Sequence, residues 1–179
     1  MLIDSRVDSY KDLFLGDWYP YLISIKAPIV LGISYLLVVK PWGAHNARKY
    51  KDTKPPKTGP LITLLAAVHN FALLVFSFLT FIHTAPVMKH LFQTQGVDDT
   101  LCDMGQNAWK NGLFYWGWLF YLSKYYEFID TLIILVKGRV PMFLQTYHHT
   151  GAIFGMWILI ASESNVTWIF VCLNSFIHI

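Results

Sequence analysis

Lys124, Glu127, Asp130 and Thr131 stand in one otherwise apolar run, and Gln145, His148 and His149 stand in the next. Ionisable side chains inside a membrane-spanning segment are costly, so each is a functional-site candidate with a partner to be found. Residues three and four apart are neighbours on a helix, which puts Lys124, Glu127, Asp130 and Thr131 largely on one face. From there Glu127 can bond Lys124 one turn back and Thr131 one turn on. Gln145 shares a face with His148 and His149, at i+3 and i+4, while the two consecutive imidazoles point about 100° apart. One ring can therefore react while the other orients a neighbour. The plainer readings are a structural ion pair and two buried histidines hydrogen-bonded between helices. A lone ion pair needs only two charges, however, whereas this run carries three and a hydroxyl. Imidazole also moves protons near pH 7.

The elements that must carry these groups are membrane helices. Of the 179 residues 55% are hydrophobic and only 14% charged, against about 25% charged in a typical soluble domain. Mean hydropathy is +0.42. Apolar runs over 21–39, 60–84, 112–136, 141–162 and 167–179 read as five helical spans, the fifth incomplete. The class is an all-α, polytopic membrane helical bundle forming a single membrane-embedded domain over 1–179. Because the fifth run stops short of a full crossing, the sequence is expected to be truncated at its C-terminus and inactive by itself. No cleavable signal peptide is expected, since Asp4, Arg6, Asp8, Lys11 and Asp12 follow Met1 closely.

The 40–59 loop holds Lys40, Arg48, Lys49, Lys51, Lys54 and Lys57 against Asp52 alone, which places it in the cytoplasm. The N-terminus and the 85–111 loop then face outward, Lys137-Gly-Arg139 returns to the cytoplasm, and Glu163-Ser-Asn165 faces the lumen. Trp18, Tyr19, Trp42, Trp109, Tyr115 and Trp168 fall near the predicted boundaries, as aromatic belts do. The net charge of +3 gathers largely in one loop, which fits topology control and not nucleic-acid binding. The two cysteines, Cys102 and Cys172, form no CxxC and have no zinc spacing. A disulfide from the luminal Cys102 would need a partner elsewhere, since Cys172 lies mid-span.

Depth supplies an independent argument. Asp130 lies roughly 10 Å from Lys137, and His148 roughly 10 Å in from Pro141. His178 lies about 16 Å from Thr167, hence about 14 Å from the cytoplasmic edge. Three helices thus bring ionisable groups to similar depth, which predicts a site open to the cytoplasm with a substrate tail along apolar walls. His69 and His83, in the second span without a neighbouring motif, read as buried structural residues. Gly151 and Gly155 form a GxxxG, expected to mark close helix packing.

At these residues the chain resembles the very-long-chain fatty acid elongases, the membrane condensing enzymes of the endoplasmic reticulum. Lys124-x-x-Glu127-x-x-Asp130-Thr131 matches the family's KxxExxDT motif. Gln145-x-x-His148-His149 matches its histidine box in the QxxHH form, and Asn174-Ser-Phe-Ile-His178 is similar to the start of a further motif. His45-Asn-Ala-Arg48 and the Leu101-Cys102-Asp103 loop also look like the family's. The resemblance implies seven helices, six of them around an acyl tunnel, of which five are visible here. It implies condensation of a long-chain acyl-CoA with malonyl-CoA to a 3-ketoacyl-CoA two carbons longer, with release of CO2 and CoA. The QxxHH form is associated with polyunsaturated substrates.

The catalytic residues implied are His148, His149 and His178. An imidazole of the pair, His148 by preference, takes the acyl group, and His178 assists decarboxylation or stabilises the enolate. Lys124, Glu127, Asp130, Thr131, Gln145 and Asn174 support the site. No metal and no cofactor are implied, acyl-CoA and malonyl-CoA being substrates. The partners implied are the lipid membrane and the ketoreductase, dehydratase and enoyl reductase of the elongation cycle, with no nucleic acid. The localisation implied is the endoplasmic reticulum membrane, multi-pass. One rival is a membrane di-iron desaturase or hydroxylase. It needs three histidine boxes, whereas only two of the seven histidines here are adjacent and no HxxxH occurs. A transporter or receptor also suits intramembrane charges but leaves the order of the motifs unexplained.

Overall fold

The computed structural model describes residues 9–177. Apart from turns and connecting loops these residues are helical, with no strand among them. Two short 3-10 turns lead into α1 (Tyr19–Leu22) and then α2 (Lys26–Lys49). Pro28 sits in the first turn of α2, where a missing N–H costs nothing. Pro60 opens α3 (Pro60–Gln95) in the same way. At 36 residues α3 is about 54 Å long, well beyond a ~30 Å hydrocarbon core. It ends at Gly96, whose φ of +83° a side chain would resist.

A short α4 (Val97–Cys102) follows. The buried Asp103 then caps the next helix, its carboxylate accepting from Asn107 N at 2.7 Å and Ala108 N at 2.9 Å. That helix passes through a wide π turn at Trp109–Leu113, made possible by Gly112 at φ +112°. It continues as α5 (Phe114–Tyr126), turns at Glu127, and resumes as α6 (Phe128–Val136). Two further helices complete the bundle, α7 (Phe143–Ala161) and α8 (Thr167–Ile177).

Helices α2 and α3 are long and apolar enough to cross a membrane. Leu61, Leu64, Leu65, Val68, Phe71 and Phe78 stay exposed along α3, a stripe suited to lipid and costly in water. The main core gathers Trp118, Phe120 and Tyr121 of α5 with Met156 and Ile160 of α7 and Val171 of α8. A smaller one joins Tyr35 and Val39 to Leu135.

Helix ends differ from the apolar runs. α2 continues through Lys40 and Pro41 to Lys49, so the basic loop is 50–59, not 40–59. α3 continues past Pro86 to Gln95, some ten residues beyond its predicted end. Hydropathy reports where lipid would stop, whereas helical hydrogen bonding continues into water until a cap or breaker ends it. Trp109, expected in an aromatic belt, is buried and stacks on Phe114. No neighbour packs within 4 Å of a Cβ built at Gly151 or Gly155 among the described residues, so the GxxxG marks no close crossing there. Cys102 and Cys172 are both free thiols.

Hydrogen bonds tie the loops together at each end of the bundle. Asn46 Nδ2 donates to Leu135 O at 2.8 Å and to Arg139 O at 3.0 Å, joining the end of α2 to the Lys137–Arg139 turn. At the other end Gln106 Nε2 donates to Glu163 Oε2 at 3.0 Å, and Asn165 Nδ2 donates to Thr100 O.

Candidate active site

The four motif residues of α5 and α6 reach four different helices. Lys124 Nζ donates to Glu127 Oε1 at 2.6 Å and to Asn174 Oδ1 of α8 at 2.9 Å. It also lies 4.0 Å from the Phe120 ring centroid. Glu127 Oε2 faces His149 Nδ1 of α7 at 3.8 Å, within ion-pair range but past a hydrogen bond. Asp130 Oδ1 lies 2.8 Å from His69 Nε2 of α3. The Thr131 and Tyr35 hydroxyls share a hydrogen bond of 2.9 Å, which brings in α2.

This one-motif, four-helix pattern has a local cause. The backbone turns at Glu127 between α5 and α6, and the bond expected within one face, Glu127 to Thr131, does not form. Glu127 spends one oxygen on Lys124 and turns the other toward His149. Thr131, fully buried, takes Tyr35 instead. Lys124 at 2% exposed and Glu127 at 5% form a desolvated pair. Such a pair holds only when further hydrogen bonds complete it, and the Asn174 amide oxygen does so on the lysine side.

The two histidines divide. His149 is buried, its ring edge-on to Tyr35 and to Phe128, each 6.4 Å away between centroids. Its Nδ1 has no hydrogen-bond partner among the described residues. His148 is exposed, its ring centroid 5.9 Å from that of His149. Gln145 is half-buried one turn earlier on the same helix. The 100° between consecutive rings thus places one imidazole against the charge cluster and leaves the other open to a ligand.

The sequence profile described as the GNS1/SUR4 family, ELO, matches residues 20–179. The chain belongs to this elongase family. It is 26% identical to a putative fatty acid elongase of Dictyostelium discoideum over 160 residues, 89% of this chain and 48% of that protein. Against fatty acid elongase A of the same organism it is 30% identical over 159 residues, 87% of this chain and 54% of that protein. Fatty acid elongase 2 of Trypanosoma cruzi is 26% identical over 149 residues, 83% and 53% of the two chains. The chain spans about half the length of the curated relatives it matches. No solved structure matches it. The family does not favour the di-iron reading.

Within this elongase-family bundle, three residues matter that their sequence context did not single out. His69, expected to be a structural histidine without a motif partner, is buried as expected but holds Asp130. Tyr35 holds Thr131 and stacks on Phe128 at 4.1 Å. Asn46, inside the His45–Arg48 stretch, caps the end of α6. A polar residue in an apolar run was the available signal for the first two, but its partner lies 61 residues away in one case and 96 in the other. His178 lies outside the described residues. Among the described residues no group of three or more His, Cys, Asp or Glu comes together to hold a metal ion. An apolar cavity of about 630 Å³ opens between α2, α3 and α5, with Leu31, Leu73, Leu122 and Tyr126 among its walls.

Proposed function

We propose that this chain carries the catalytic half of a membrane condensing enzyme. The reaction joins a long-chain, polyunsaturated acyl-CoA to malonyl-CoA and gives a 3-ketoacyl-CoA two carbons longer, CO2 and CoA. The observation that supports it is the approach of the buried Lys124–Glu127 pair to His149, whose neighbour His148 is exposed, in a chain of the elongase family.

A nucleophile must be reachable by a thioester, which favours the exposed His148 over the buried His149. His148 attacks the thioester carbonyl, the C–S bond breaks, and CoA leaves as a thiolate that takes up a proton. The acyl group rests on the imidazole nitrogen. Malonyl-CoA then loses CO2, and the carbon of the resulting enolate attacks the acyl carbonyl. The C–N bond breaks and His148 is restored. His149, edge-on to the stacked Tyr35 and Phe128 rings and facing Glu127, orients its neighbour. Lys124 holds Glu127 in place, while Gln145 and Asn174 complete the polar surround. His178 serves the decarboxylation or enolate step. On this reading the protein's side chains and the two substrates suffice, and no resident cofactor or metal takes part.

The same reading has the helices crossing the endoplasmic reticulum membrane five times within this chain, as part of a seven-helix fold. Ketoreductase, dehydratase and enoyl reductase act on the product in turn.

The test is to express the complete reading frame in membranes with labelled malonyl-CoA, a panel of saturated and polyunsaturated acyl-CoAs, and an iron chelator. Labelled 3-ketoacyl product, greatest with a polyunsaturated acceptor and lost in H148A, is the expected result. A folded protein that forms no product, or one whose H148A/H149A variant condenses normally, overturns the assignment.

A further inference from the structure

Asp130 is held from behind by an imidazole to which the mechanism above gives no part. His69 Nε2 reaches Asp130 Oδ1 at 2.8 Å from α3, and the two partners are unequal, the imidazole 4% exposed and the carboxylate 28%. One member is sealed into the bundle and the other keeps access to its surface. His69 Nδ1 is buried with no hydrogen-bond partner among the described residues. The bond from Nε2 to the Asp130 carboxylate is therefore the ring's one hydrogen bond among the described residues. Tyr126 lies against the ring at 4.8 Å between centroids and 38° between planes, which limits its rotation. Asp130 lies one helical turn beyond Glu127, whose carboxylate meets Lys124 at 2.6 Å and faces His149 at 3.8 Å.

We propose that His69 is a positioning residue of the site, whose Nε2–H holds the Asp130 carboxylate fixed one turn from Glu127 and its contacts with Lys124 and His149. The inference rests on the condensing reading, because its effect is exerted on that chemistry through Asp130. A hydrogen bond that merely clamped α3 to α6 would support stability alone. One that positions Asp130 supports turnover, and supports it only while Asp130 is present.

The experiment compares wild type, H69Q, H69F, D130N and H69F/D130N, expressed from the complete reading frame in membranes. It measures kcat, KM for acyl-CoA, and the melting temperature in detergent. Phe keeps the ring volume and loses the donor, whereas Gln keeps an N–H of similar reach. H69F is expected to lower kcat by roughly 10- to 100-fold, the worth of one hydrogen bond to a charged group. KM should stay within about twofold. H69Q should recover most of the rate, and H69F/D130N should be no slower than D130N. An unchanged kcat in H69F, an H69Q as slow as H69F, or losses that multiply in the double variant would each overturn the proposal. Should H69F not fold, H69N, whose shorter amide cannot span the gap, replaces it. Absence of product from the wild-type control instead overturns the condensing reading, and the inference with it.

Discussion

Replacing Lys124 by Met removes the ammonium while keeping an unbranched stem in the same space. Glu127 is then a buried carboxylate whose remaining neighbour, His149 Nδ1, stands 3.8 Å away, past hydrogen-bond range. Asn174 Oδ1 loses its donor as well. Breaking a buried ion pair from one side costs about 3–5 kcal/mol, because the abandoned charge stays desolvated. For a chain of this size each kcal/mol moves the midpoint by about 2–4 °C, so K124M should melt roughly 6–20 °C below wild type. Removing both charges, as in K124M/E127L, exchanges the pair for apolar packing and should recover most of that loss. The assay is thermal unfolding of the detergent-purified protein, followed by the fluorescence of its seven tryptophans. A K124M midpoint within about 2 °C of wild type, or a double variant showing the sum of the two single losses, would refute the reasoning. Either result would mean that water reaches the pair and that its charges are not held by each other.

The same melts test three further contacts. N46A should cost about 1–3 kcal/mol, since the Leu135 and Arg139 carbonyls lose a buried donor. N46D should cost more, as it sets a carboxylate against the negative end of α6. T131V and Y35F should each cost about 1 kcal/mol, and the double variant little beyond either, because both remove one hydrogen bond. G138A should cost about 1–2 kcal/mol, because the residue sits at φ +70° and its new Cβ would meet the Tyr50 ring at 2.9 Å; a neutral G138A would mean that the Lys137–Arg139 turn relaxes freely.

Amino-acid types alone determined the membrane character of this chain, the presence of a charge cluster and a histidine pair, and the membership that their order implied. Those are properties of one-dimensional spacing. Lys124 and Glu127 lie three residues apart, so their contact follows from helical geometry, and the structure has it at 2.6 Å. Apolar runs likewise located the helices, though not their ends, because the stretch from Lys40 to Lys49, with Lys40, His45, Asn46, Arg48 and Lys49 in it, breaks the apolar run and is still helical.

Only the tertiary structure decided what each motif residue holds. Thr131 was within reach of Glu127 by spacing, yet it bonds Tyr35, because the turn at Glu127 and the packing of Phe128 on Tyr35 bring α2 closer than the next turn of the same helix. Nothing in the run around His69 pointed to Asp130, since a pair formed between helices depends on which faces meet, and a uniformly apolar helix carries no pattern that sets its rotation. The division between a buried His149 and an exposed His148 has the same origin. The 100° between their side chains is fixed by the helix, but which of them turns inward is settled by where α7 packs against α5.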